Sequence, residues 1–233
     1  MKQILADKAK RPQDNFIDVD NSRNKFIPKL KSKPNSIIEL PTSNNSKESL
    51  SLNSSIFSSS TSKNKYIGIN NPYETEIRQA AMSPPSWLLK EKTNIPMFKK
   101  LHEVKYEYID NIKGLEDMID SLEKELAIAV DLENHSMRSF QGFVCLMQIS
   151  THTSDYIIDT ILLRNHLHVL NTIFTNPNIV KVFHGADYDI HWLQRDFGIY
   201  VVSLYDTGQN SRVLEYPSFS ITCYENSLWS ESK

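Results

Sequence analysis

The chain has 233 residues, enough for one or two domains. Lys plus Arg number 26 and Asp plus Glu 28, and the resulting charge of −2 excludes a purely basic, sequence-blind nucleic-acid binder. No apolar run approaches the roughly 18 residues of a membrane-spanning helix, and the start, MKQILADKAKRPQD, lacks the apolar stretch of a secretory signal. Two cysteines, Cys145 and Cys223, cannot build a disulfide framework, so a soluble intracellular protein with no membrane partner is expected.

The near-neutral total hides two unlike parts. Residues 1–75 carry 12 basic and 7 acidic side chains, whereas residues 76–233 carry 14 and 21. Twelve serines and five asparagines crowd positions 32–65. So little apolar area cannot offset an ordering cost of about 1–2 kcal/mol per residue, and residues 1–75 are expected to be disordered. Residues 76–110 follow as an extended arm. Prolines 84, 85 and 96 forbid a long helix there, while Trp87, Leu88, Leu89, Met97 and Phe98 offer side chains to lay across a domain surface.

Regular periodicity begins near Ile112. Leu115, Met118, Ile119 and Leu122 keep the spacing of an amphipathic helix, with Asp110 or Asn111 at its cap. Apolar runs at 127–130, 143–149 and 155–159 read as three strands, and their short connections predict an antiparallel meander. A helix is expected over 162–174, a strand over 179–183, a helix through Ile190, Leu193 and Phe197 stopped by Gly198, a fifth strand over 200–205, and a last helix from Thr207 to Leu214. The order gives an α/β domain with a mixed five-stranded sheet and flanking helices, of the ribonuclease-H-like kind, over residues 111–216. Residues 217–233 form a divergent tail.

Asp131 and Glu133 are two positions apart, so both project from one face of an extended segment. Two anions this close repel, and a divalent cation between them removes the conflict. A third acid follows the fourth strand in HGADYDI, where both Asp187 and Asp189 qualify by position, and spacing does not choose between them. His166 and His168 are read as solvated, Cys145 as an inert core thiol, and Trp192 as core.

The stretch AVDLENHSMRSFQGFVCLMQIST, continued by DYIIDT, NPNIVKVFHGADYDIHWLQRDFGIYVV and LYDT, resembles the DEDD-type 3′–5′ exonucleases of the ribonuclease D group. Within that group it is similar to the nuclear exosome-associated exoribonucleases of the polymyositis/scleroderma autoantigen (exosome component 10) type. The resemblance is dense from Glu125 to Leu214. It implies that Asp131 and Glu133 form the first exonuclease motif and that Asp189 fills the second, leaving Asp187 as a helix cap. These three acids would be both catalytic and metal-binding, with Leu132 and His184 on the substrate side. Asn134 stands where the family usually has His, and Asp206-Thr207 is assigned structural work. The family's third motif, YxxxD, would fall beyond Lys233, so the resemblance implies an exonuclease domain that is incomplete at its C-terminus.

The function so implied is 3′–5′ exoribonuclease action in the nuclear exosome, serving rRNA maturation and RNA surveillance. The cofactors would be two divalent cations, Mg²⁺ or Mn²⁺, with Asp131 bridging them, Glu133 on the water-activating one and Asp189 on the other. Single-stranded RNA 3′ ends and the exosome core with its cofactors would be the partners, and the nucleus, in particular the nucleolus, the location. The alternative is a catalytically inactive module that binds RNA or the exosome.

Overall fold

The computed structural model describes residues 16, 26, 28, 30–39, 71–90, 103–137, 139 and 141–216. Its first helix, α1 (Glu74–Met82), lies where an extended arm is expected; it ends at Ser83, ahead of Pro84 and Pro85, as proline chemistry requires. β1 (Lys105–Ile109) was not expected either. It is an edge strand whose first four residues are exposed, so no apolar alternation announces it. α2 (Ile112–Leu122) matches the sequence reading. Asn111 is its cap, accepting from the Gly114 amide at 2.9 Å, and Leu115, Met118 and Leu122 are buried.

β2 (Ala127–His135), β3 (Phe143–Ser150) and β4 (Ser154–Asp159) form the expected antiparallel meander. The expected helix over 162–174 is confined to a 3₁₀ turn, Leu167–Leu170, and a short α3 (Asn171–Phe174). β5 (Val180–Phe183) runs parallel to β2, and α4 (Asp187–Trp192) continues into one π turn, Leu193–Phe197, closed by Gly198 at φ +65°. The fifth expected strand is displaced. Only β6 (Leu204–Asp206) pairs, in parallel with β5, while Tyr200 and Val202 send their amides to Asn171 Oδ1 and Phe174 O at 2.9 Å. Tyr200 and Val202 thus spend their amides on α3 rather than on a neighbouring strand, and Ile199 donates to Leu193 O at 3.1 Å. α5 (Thr207–Val213) closes the described fold.

The sheet has six strands in the order β1-β4-β3-β2-β5-β6, one more than expected, with β1 parallel to β4 on the far edge. β2 is central. Ile128, Val130 and Leu132 on β2 join Met147, Ile149, Ile158, Leu163 and the apolar face of α2 in one main core. Lys181, on β5, is fully buried; its ammonium donates to the carbonyls of Asn176 and Ile179 at 2.7 and 2.5 Å, and burial pushes its pKa down to about 7. Among the described residues no helix is long and apolar enough to cross a membrane.

Residues 30–39 correct the expectation of disorder over 1–75 where they are described. Lys33 Nζ donates to Glu76 Oε1 at 2.7 Å with both side chains about 5% exposed, and the Ile37 amide reaches the same oxygen at 2.7 Å. Burial pushes the Glu76 carboxyl up, but Lys33 and the Ile37 and Ile38 amides outweigh it and hold the pKa below the ordinary value. Tyr73 donates to Pro34 O at 2.9 Å, and Asn35 Nδ2 to Thr172 O at 2.9 Å. The Phe16 ring sits 5.3 Å from that of Phe143. Buried polar anchors hold the segment, together with Leu30 packed on the Tyr73, Tyr200 and Val202 cluster. Residues 1–15, 17–25, 27, 29 and 40–70, the positions 91–102 of the arm and the tail 217–233 lie outside the described residues.

Candidate active site

β2 alternates strictly, with Ile128, Val130 and Leu132 buried and Ala129, Asp131 and Glu133 exposed. Both acids therefore share one face, as their spacing dictates. β5 pairs with β2 only over Ala127–Ala129, so from Val130 onward β2 runs past the end of β5. Asp131 and Glu133 stand on this overrun, beside the point where the chain leaves β5 for α4. A bulge follows at once. Glu133 opposes Leu146 while Asn134 opposes Val144, leaving Cys145 as the extra residue. Bulges bend a strand and re-aim its side chains, commonly beside sites. The Cys145 thiol is half-buried and donates to Glu133 O at 3.1 Å, so it belongs to the bulge rather than to the core expected for it.

Asp189, the third residue of α4, is 8% exposed. Burial, and after it the charge of Asp131, pushes its carboxyl up to about 6, with a smaller push from Asp206. Asp131 and Asp189, from different elements, are thus electrostatic neighbours. Asp187 is exposed and is not the cap expected of it. The N-cap position is Ala186, and no side chain caps α4 there.

Asp206 holds that turn instead. Its carboxylate accepts from the Gly185 and Ala186 amides at 2.9 Å and, as the N-cap of α5, from Gly208 and Gln209 at 2.8 and 3.2 Å. Burial pushes its pKa up, but the four amides outweigh this and hold it below the ordinary value. The approach is close enough that a Cβ on Gly208 would lie 3.1 Å from the Gly185 nitrogen, and Gly185 itself turns at φ +74°. Asp206→Ala should destabilise the domain by about 3 kcal/mol in urea titrations at pH 7. Because the folded pKa lies below the unfolded one, this contribution is fully present above the unfolded pKa near 4 and fades as pH falls through the folded value. The gap between wild type and variant should therefore shrink below pH 4.

His184 is exposed, with Nδ1 2.9 Å from Thr207 Oγ1. The Thr207 hydroxyl also lies 3.0 Å from Phe183 O, to which it donates. The Leu132 side chain is 6% exposed and packs in the main core, on the face opposite the two acids. Asn134 Oδ1 accepts from Arg195 at 3.4 Å. Trp192 is half-buried against the core, as read, but also stacks on the exposed ring of Tyr188. The i, i+4 spacing of two aromatics around Asp189 was the available signal for this pair.

The donor set suits a hard divalent cation. It offers carboxylate oxygens only, and a buried carboxyl facing a second carboxylate is the arrangement a cation relieves. Among the described residues, no three His, Cys, Asp or Glu side chains are grouped closely enough to close a metal site by themselves. Asp131, Glu133 and Asp189 suit such an ion in the kind of donor they offer.

Three comparisons bear on this geometry. The sequence model of the 3′–5′ exonuclease family matches residues 106–222. Exosome complex exonuclease RRP6 of Saccharomyces cerevisiae is 43% identical over 216 residues, covering 92% of this chain and 27% of that protein. Exosome complex component 10 of Homo sapiens is 38% identical over 225 residues, 91% of this chain and 25% of the relative. The chain spans about a quarter of the length of these curated relatives. The crystal structure of the catalytic core of RRP6 from Trypanosoma brucei superposes with a TM-score of 0.72 at 36% identity, covering 91% of this chain and 51% of that one. With the mixed six-stranded sheet and the acids placed where β2 outruns β5, the chain belongs to the 3′–5′ exonuclease family.

Proposed function

We propose that this chain acts in 3′–5′ exoribonucleolytic RNA processing and decay as part of a nuclear, exosome-associated enzyme. The observation that carries this reading is the buried Asp189, whose carboxyl feels the charge of Asp131 on the part of β2 that runs past β5. Asp131, Glu133 and Asp189 would hold two divalent cations, Mg²⁺ or Mn²⁺, which supply water activation and charge stabilisation at the leaving oxygen when bound. Asp206 fixes the turn that presents Asp189, and the Glu133–Cys145 bulge sets the direction of Glu133. The exosome core as partner, rRNA precursors among the substrates and a nucleolar location follow from likeness to the relatives.

One observation favours a second reading, an RNA- or exosome-binding module without hydrolysis: the described acids do not close a metal site alone. A single experiment separates the two. The full-length protein is incubated with 5′-labelled single-stranded RNA and Mg²⁺ or Mn²⁺, with circular RNA of the same sequence as control. Shortening from the 3′ end with release of mononucleotides, and no attack on the circle, supports the enzyme. Tight binding without cleavage supports the module. Neither binding nor cleavage overturns both.

A further inference from the structure

α4 carries three side chains in one stripe. Tyr188 and Trp192 are one turn apart, and Asp189 lies three residues before Trp192, so the indole neighbours both. Asp189 is buried, whereas Tyr188 is 71% exposed. The two rings are stacked, with centroids 5.7 Å apart and planes 28° from parallel. Trp192 packs against the main core, so its ring is anchored and holds the tyrosine ring in a fixed plane. The Tyr188 hydroxyl makes no hydrogen bond among the described residues, and the ring is positioned by stacking alone. Scattered exposed aromatics are ordinary on protein surfaces. A pre-oriented ring with one open face, adjacent in sequence to the buried Asp189 at the start of α4, is a different object.

We propose that Tyr188 is a stacking platform for the base next to the scissile end of a single-stranded RNA, and that it gives purines the stronger hold. This rests on the nuclease reading of Asp131 and Asp189. Every base offers a π-face, so such a contact tolerates sequence. The larger purine overlaps a phenol ring more fully, so the contact also ranks the bases. The fixed ring plane removes much of the ordering cost that a mobile tyrosine would incur on binding.

The test uses the full-length protein with Tyr188→Ala and Tyr188→Phe. Equilibrium binding is read, with chelator present, from the fluorescence of single-stranded RNAs ending in 2-aminopurine, and KM and kcat from RNAs ending in adenosine, uridine or an abasic residue. Tyr188→Ala should weaken binding and raise KM about 5- to 10-fold for the purine ends, less for uridine, with kcat and the melting temperature retained. Tyr188→Phe should match wild type, because the hydroxyl is not used. The abasic end should be indifferent to either substitution. Equal binding by wild type and Tyr188→Ala, or an equal loss on abasic and purine ends, would overturn the proposal. If RNA binds but is not cut, the hydrolytic reading fails while the fluorescence series still decides this one.

Discussion

Asp131→Asn in the full-length protein should lower the rate of 3′-end RNA hydrolysis about a thousand-fold or more while leaving the domain folded. Losing a partner that merely orients a metal ligand typically costs about 10–100-fold, and a direct ligand costs more. Folding should be spared for a definite reason. Asp131 is exposed on β2, while the strand is held by buried Val130 and Leu132 on the other face. Removing its charge also withdraws one of the two anions that push Asp189 up to about 6, so the variant loses a repulsion rather than an attraction. Initial rates on 3′-unstructured RNA, read beside thermal melting of both proteins, check this. A variant that keeps a tenth or more of the wild-type rate would remove Asp131 from the chemistry.

The second large effect is on stability. Asp196, in the π turn after α4, is 7% exposed and gathers contacts from three parts of the fold. It accepts from the Val144 amide at 2.8 Å, from Arg195 Nε at 2.7 Å and from Arg164 Nη2 at 3.5 Å. Arg164 is itself buried, its guanidinium 4.7 Å from the Phe16 ring and 5.7 Å from that of Phe197. Asp196→Ala would strip the carboxylate from a buried cation and leave a strand amide unpaired beside the Glu133 bulge. Breaking such a buried arrangement from one side costs about 3–5 kcal/mol. That corresponds to a fall in melting temperature of about 10 °C. Asp196→Asn, which keeps the acceptor oxygen for Val144 but not the charge, should fall between the two. Calorimetry of the three proteins tests this ranking.

The central meander was readable because each strand carries a local signal, an apolar run, with short turns between β2, β3 and β4. The Gly198 stop, and a cap at Asp110 or Asn111, were readable for the same reason, since both are decided within a few residues of chain; the fold selects Asn111. What escaped is decided by partners far away. β1 has exposed side chains along most of its length and is a strand only because β4 offers it an edge. Residues 199–202 are apolar like a strand, yet the amides of Tyr200 and Val202 go to α3 and that of Ile199 to Leu193. Residues 33–38 are held by Glu76, some forty positions on, through a buried pair that composition cannot foresee.

The site divides in the same way. That Asp131 and Glu133 share a face is a matter of strand period and was legible from spacing. The difference between Asp187 and Asp189 is one of burial, exposed against 8%, and follows from how α4 sits on the sheet. The shared cap made by Asp206 joins two loops more than twenty residues apart, so only the assembled fold displays it.

Mn²⁺ binding by the full-length protein, followed by electron paramagnetic resonance, tests most directly whether Asp131, Glu133 and Asp189 converge on a divalent cation. Wild type should bind Mn²⁺. Asp131→Asn and Asp189→Asn should each weaken that binding by at least about ten-fold, while Asp187→Asn should leave it unchanged. A wild type that binds no Mn²⁺, or binding that survives loss of Asp131 and Asp189 but not of Asp187, would contradict the account.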